Sequence, residues 1–182
     1  VLPDRICVAD KATALAEAPD FRVTIVRLDV SARKVKALLQ KTVEVTGPLA
    51  LTLWITSTAR DTDFTGRLVD VFPDGTARAL ADGILRARYR SGPTSPTLLT
   101  PGEPTELPIA LGATSNLFKA GHRIRLEVSS SNFPRFDRNP NTGGVFGEDA
   151  EPRTARQTIL HDAAHPSRLM RPIVPRSAAA TS

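Results

Sequence analysis

Apolar residues at every second position set the first limit on what this chain can fold into. Leu49, Leu51, Leu53 and Ile55 alternate with Ala50, Thr52, Trp54 and Thr56. A period of two predicts a strand with one face buried, because successive side chains leave opposite sides of an extended chain. Ile124, Leu126 and Val128 repeat the pattern against Arg123, Arg125 and Glu127, so His122 to Ser131 reads as a strand whose other face is wet or meets a partner. Phe64, Leu68 and Phe72 share one face of a further run that Gly66 and Asp70 interrupt. Pro73-Asp74-Gly75 then supplies a turn, since proline presets φ and glycine accepts a positive one. Thr76 to Leu80 and Ile84 to Tyr89 read as strands joined by a tight turn at Asp82-Gly83.

Thr105 to Leu111, Thr154 to His161 and Leu169 to Val174 extend the series to roughly eight strands with no helix between them. Ser91 to Pro104, rich in proline, glycine, serine and threonine, reads as a loop. The pattern predicts an all-β, two-sheet sandwich or jelly roll.

Before Val43 the composition changes. Lys11 to Ala18 and Ala32 to Gln40 are rich in alanine, lysine and leucine, and Val35, Leu38 and Leu39 give the second stretch a short apolar stripe; both read as helical. Phe21 to Val30 reads as a strand. The expected division is an atypical segment over 1–42, a β-sandwich domain over 43–176 and a disordered tail over 177–182.

The chain has 182 residues and a single cysteine, Cys7, so no internal disulfide or multi-cysteine metal site holds it. Its formal net charge is +5, but the arginines are scattered among acids, without a nucleic-acid-binding motif. No stretch of about 18 apolar residues predicts a membrane span. The first 20 residues lack the layout of a secretory signal, and the expected location is cytoplasmic.

Four runs in order resemble the C-terminal, non-catalytic domain of the X-Pro dipeptidyl-peptidase family, to which cocaine esterase, α-amino-acid ester hydrolases and glutaryl acylases belong. They are Val43-Glu44-Val45-Thr46-Gly47-Pro48; Asp61-Thr62-Asp63-Phe64 leading to Leu68 through Gly75; Phe118-Lys119-Ala120-Gly121-His122-Arg123-Ile124-Arg125; and Ser129 through Asn141, reading SSSNFPRFDRNPN. Asp82 to Arg86, Pro101-Gly102-Glu103 and His165 to Leu169 support them. The resemblance covers about residues 43–175. It implies a jelly-roll sandwich of galactose-binding-like type, packed on a separate α/β-hydrolase domain that carries the serine, histidine and aspartate. No cofactor is implied, and a homo-oligomer stays open.

A hydrolase of that kind shows its nucleophile in a Gly-x-Ser-x-Gly elbow, and none occurs here, so no residue is assigned a catalytic role. His161 and His165, four apart, would share one face of a helix like a zinc site, but Pro166 and the strand-like run before them oppose a helix. Asp61, Asp63, Asp70 and Asp74 offer oxygen ligands for calcium, and turn chemistry explains them as well. His122 reads as a hydrogen-bonded structural residue. No metal site is therefore assigned.

Arg86, Arg88 and Arg90 fall on one side of a predicted strand, with Leu85, Ala87 and Tyr89 on the other. That stripe is either a solvated face or a set of guanidinium forks that dock on carboxylates of the hydrolase domain. The loop from Asn132 to Gly144 carries two phenylalanines that a merely flexible loop would not need. Phe133, Arg135 and Phe136 are expected to anchor the domain on its partner and help wall the substrate cleft. A carbohydrate-binding jelly roll is the rival reading, weakened by an aromatic content of 5% with one Trp and one Tyr. A remnant with an altered N-terminus is a third.

Overall fold

The computed structural model describes residues 5–7, 13–15, 26–29, 42–145, 147–149 and 151–174. In chain order the strands are β1 (Arg5–Cys7), β2 (Thr13–Leu15), β3 (Val26–Asp29), β4 (Val43–Ser57), β5 (Asp63–Val71), β6 (Ala77–Arg86), β7 (Thr105–Phe118), β8 (Arg123–Ser129), β9 (Arg156–Leu160), β10 (Arg168–Met170) and β11 (Ile173–Val174). A 3-10 turn, Ala87–Tyr89, follows β6.

The long strand β4 is the spine of the first sheet. β7 pairs along one of its edges, from Val43 opposite Phe118 to Ile55 opposite Thr105. The other edge is shared by β11 at Val45, β10 at Leu51 and β9 at Ile55. Beyond them, β1 pairs with β10 and β2 with β9. The second sheet runs β3-β8-β5-β6, and every pairing in both sheets is antiparallel. Leu51, Leu53 and Ile55 of β4 and Leu107, Ile109 and Leu111 of β7 meet Phe64 and Leu68 of β5 and Ile124, Leu126 and Val128 of β8 in one buried core. Two sheets closed over that core make the chain an all-β sandwich. The alternations of β4 and β8 point inward at the positions their sequence requires.

Three strand expectations change. Asp82-Gly83 is not a turn: β6 runs through it without a break, with Gly83 opposite Gly66 of β5. A Cβ on Gly83 would lie 2.0 Å from the Ala110 carbonyl oxygen, so the glycine is there to let β6 and β7 approach, not to supply a positive φ. β7 continues past Leu111 to Phe118. Leu111 is the extra residue of a bulge, and Gly112 beside it has φ 80°. The bulge moves the inward phase from Leu107, Ile109 and Leu111 to the even-numbered positions that end at buried Phe118, so one alternation cannot be followed across it. Leu169 to Val174 is two strands, split at Arg171-Pro172.

The helix expected over Lys11 to Ala18 is also corrected. Thr13, Ala14 and Leu15 pair with Thr158, Gln157 and Arg156 of β9. Helix propensity differs among ordinary residues by only a few tenths of a kcal/mol, which a sheet edge offering backbone partners overrides. Val26–Asp29 is a strand within the predicted Phe21 to Val30. Ala32 to Gln40 and the tail 177–182 lie outside the described residues. Among those described, no helix is long and apolar enough to cross a membrane.

The Pro73-Asp74-Gly75 turn forms as its residues dictate. Gly75 has φ 90°, the Phe72 amide donates to the Thr76 carbonyl at 2.8 Å, and the Thr76 amide donates to Asp74 Oδ1 at 2.8 Å. The Thr76 hydrogen bonds hold the Asp74 carboxyl below its ordinary pKa of 3.8. A carboxylate with a depressed folded pKa stabilises the fold above its unfolded value and loses that contribution as pH falls through the folded value. Asp74→Ala should therefore lower the melting temperature modestly at neutral pH, and the deficit should shrink below about pH 3.8. A deficit of the same size across that range would contradict the assignment.

Candidate docking site

At the end of the sandwich where β5 begins and β6 ends, two carboxylates are buried side by side. Asp61 has no exposed surface and Asp63 is 2% exposed. Each takes a guanidinium: Arg88 Nε donates to Asp61 Oδ2 at 2.7 Å, and Arg86 donates to Asp63 through Nε at 2.9 Å and Nη2 at 3.2 Å. Between them sits the buried Asn139 amide, whose Nδ2 donates to Asp61 Oδ2 at 3.1 Å and Asp63 Oδ1 at 2.8 Å. Burial lifts the Asp63 carboxyl above its ordinary value against the pull of Arg86 and Asn139. Burial also works against the Arg86 charge, but the Asp63 carboxylate more than offsets it, and the Arg86 pKa is raised.

The network holds the loop from Asn132 to Gly144 at three places. Asn139 Oδ1 accepts the Asn141 amide at 2.9 Å, where Asn141 adopts φ 62°. The Arg88 fork closes on the Gly144 carbonyl, with Nη1 and Nη2 both at 3.0 Å. At the near end Asp82 of β6 accepts Asn132 Nδ2 at 3.1 Å and Arg135 Nη1 at 2.6 and 2.8 Å.

This scaffold presents large apolar side chains outward among exposed Arg135, Asp137 and Arg138. Phe133 is 55% exposed, with the Arg138 guanidinium 4.3 Å from its ring centre, and Val145 is 62% exposed. Phe136 is half-buried under the Arg135 guanidinium, 5.3 Å from its ring centre. Phe136, Tyr89 and Ile84, with Asp63, Arg86 and Asp137, line a recess of about 290 Å³. A second cleft of about 260 Å³ lies beside Phe133, walled by Thr65, Arg67, Asp82, Glu127 and Ser131.

Arg135 stands over Phe136 and Arg138 over Phe133, and the two phenylalanines line different recesses. The arginine stripe is corrected: only Arg86 belongs to β6, while Arg88 lies in the 3-10 turn and Arg90 closes it. Arg86 and Arg88 do hold carboxylates, but those of this chain. Arg90 Nη1 donates to the Ala87 carbonyl at 3.1 Å and to the Thr97 carbonyl, tying down the long loop before β7. Asn139 and Asp82 carried a signal that strand patterns do not read. Asn139 stands in Asn-Pro-Asn, a sequence suited to side-chain-capped turns, and the turn-like pair Asp82-Gly83 hides the carboxylate that β6 presents.

The remaining candidates separate. The four aspartates do not converge: Asp70 binds His122 Nδ1 at 2.9 Å, against Phe72, and Asp74 caps its turn. His165 binds Asp162 at 3.0 Å in a loop and meets the Trp54 ring edge-on, with centres 5.1 Å apart. Among the described residues no three His, Cys, Asp or Glu side chains group where they could hold a metal ion. The hydroxyls of Ser57, Ser129 and Ser167 bond backbone groups.

The sequence profile of the X-Pro dipeptidyl-peptidase C-terminal non-catalytic domain matches residues 8–170. The chain belongs to this family. The match includes β2 and β3 and so reaches well before Val43. Over 141 residues this X-Pro dipeptidyl-peptidase C-terminal domain is 52% identical to cocaine esterase of Rhodococcus sp. strain MB1, covering 76% of this chain and 25% of the esterase. It superposes on an aminopeptidase from a marine-sediment Thaumarchaeota archaeon with a TM-score of 0.76 at 27% identity, covering 90% of this chain and 28% of the other. On an α-amino acid ester hydrolase the TM-score is 0.74 at 24% identity, covering 89% and 27%, which shows the shared fold. The chain spans about a quarter of the length of these relatives.

Proposed function

We propose that this domain serves as the C-terminal accessory part of a serine α/β-hydrolase, of the kind that cleaves ester, amide or X-Pro peptide bonds by acyl transfer. It packs on the hydrolase body, covers apolar surface there and narrows the approach to the substrate cleft. The observation that carries this reading is a rigid base beneath exposed apolar side chains: buried Asp61, Asp63 and Asn139 hold a loop on which Phe133, and Val145 just after it, stay exposed. Exposed aromatics on a pre-organised loop are how an interface gains contact area without ordering cost on binding. The chain's share of its relatives, about a quarter, supports a partner large enough to cover that tip.

The test is to combine Phe133→Ala and Phe136→Ala and measure association with the hydrolase body by titration. Truncating two interface aromatics should weaken association by about 2 kcal/mol or more. An unchanged affinity with unchanged kinetics on para-nitrophenyl acetate would reject the docking face.

A further inference from the structure

We propose that Asn139 is a positioning residue for docking: by bridging the two buried carboxylates it sets the loop that carries Phe133 and Phe136 in the conformation the hydrolase body meets. The inference rests on the docking reading and adds a residue and a mechanism to it. Asn139 is 9% exposed and makes three hydrogen bonds, two outward to Asp61 and Asp63 and one inward to the Asn141 amide of its own loop. Few other side chains serve here. The two acceptors are carboxylates of the scaffold and the third partner is a backbone donor, so the residue must present two N–H groups and one carbonyl from a short planar head. Aspartate has the shape but offers an acceptor, and a third negative charge, where two acceptors already face it.

The adjoining contacts show what the bridge holds. Pro140 and Asn141, just after it, clasp Arg153 before β9: the Arg153 amide donates to the Pro140 carbonyl at 2.8 Å, and Asn141 Nδ2 donates to the Arg153 carbonyl at 3.0 Å. Arg88 meanwhile joins Asp61 to Gly144 at the loop's far end. Releasing Asn139 would leave Asn132 and Arg135 tied to Asp82 while the middle of the loop loses its seat, so Phe136, on the wall of the recess, would move before β5 or β8 does.

The experiment has two arms. Hydrogen exchange on the whole chain compares wild type with Asn139→Ala, and with Asn139→Ser in case the alanine variant does not fold. Amides of Asn141 and Arg153 should exchange about ten-fold faster or more, while those of β4 and β8 keep their protection. Unchanged exchange in the loop would overturn the proposal. In the second arm the same variants are titrated against the hydrolase body. Weaker association, with KM raised several-fold and kcat moved less, is the expected result; a freed loop with full association would overturn the positioning role. If Phe133→Ala with Phe136→Ala abolishes docking while Asn139 variants dock normally, docking stands and positioning fails. Asn139→Asp adds a signature that space-filling would not give: its loop defect should diminish on acidification, as a proton on the new carboxyl restores a donor.

Discussion

Gly83→Ala should destabilise the fold by about 3 kcal/mol or more. The added Cβ would stand 2.0 Å from the Ala110 carbonyl oxygen and 3.0 Å from its carbon, with Leu111 Cα at 3.2 Å. All three are backbone atoms of β7, paired along β4, so relief requires the two sheets to part at the seam between β6 and β7. Overpacking in a core usually costs about 1–3 kcal/mol, and a clash with backbone on both sides belongs at or above the upper end. Total stability for a domain of this size is about 5–15 kcal/mol, so the loss is a large part of it. Gly66→Ala is the control. Its Cβ would meet Leu51 Cδ2 at 2.5 Å and Leu111 Cδ2 at 3.0 Å, the far ends of flexible side chains, and should cost less. Thermal melts of both variants check the order; equal, small losses would contradict the seam.

Asp61→Ala should be the most damaging change in the polar network. It removes the acceptor for Arg88 Nε, for the Arg88 amide and for one N–H of Asn139, and it leaves a guanidinium whose side chain is only 15% exposed without its carboxylate. Breaking a buried pair by removing one partner costs about 3–5 kcal/mol, because the remaining charge stays desolvated. Asp63→Asn should cost less: burial already raises the Asp63 carboxyl, so its ionised form is held against a desolvation penalty that the amide avoids. Denaturant unfolding of the two variants measures the difference, and an Asp63→Asn loss equal to that of Asp61→Ala would contradict it.

Much of this architecture was legible because burial on one face writes itself into alternation. β4 and β8 show it plainly, and the Pro73-Asp74-Gly75 turn declares its backbone needs in three residues. What escaped had the same few causes. Gly83 fits a turn and a close approach equally well, and only the position of Ala110 decides between them. The bulge at Leu111 shifts the phase of β7, which hides its second half. Thr13 to Leu15 has a helix-forming composition that a neighbouring strand overrides. At the candidate docking site the aromatic residues stand out by type, whereas Asn139 acquires its meaning only when chain 76 residues away supplies the Asp63 carboxylate.

Docking of the hydrolase body on the end of the sandwich that carries Phe133, Phe136 and Tyr89 is tested most directly by hydrogen-exchange footprinting of the complex. Protection should rise at residues 84–90 and 132–145 when the body binds. Protection confined instead to the opposite sheet, around exposed Leu117, Met170 and Val174, would contradict it.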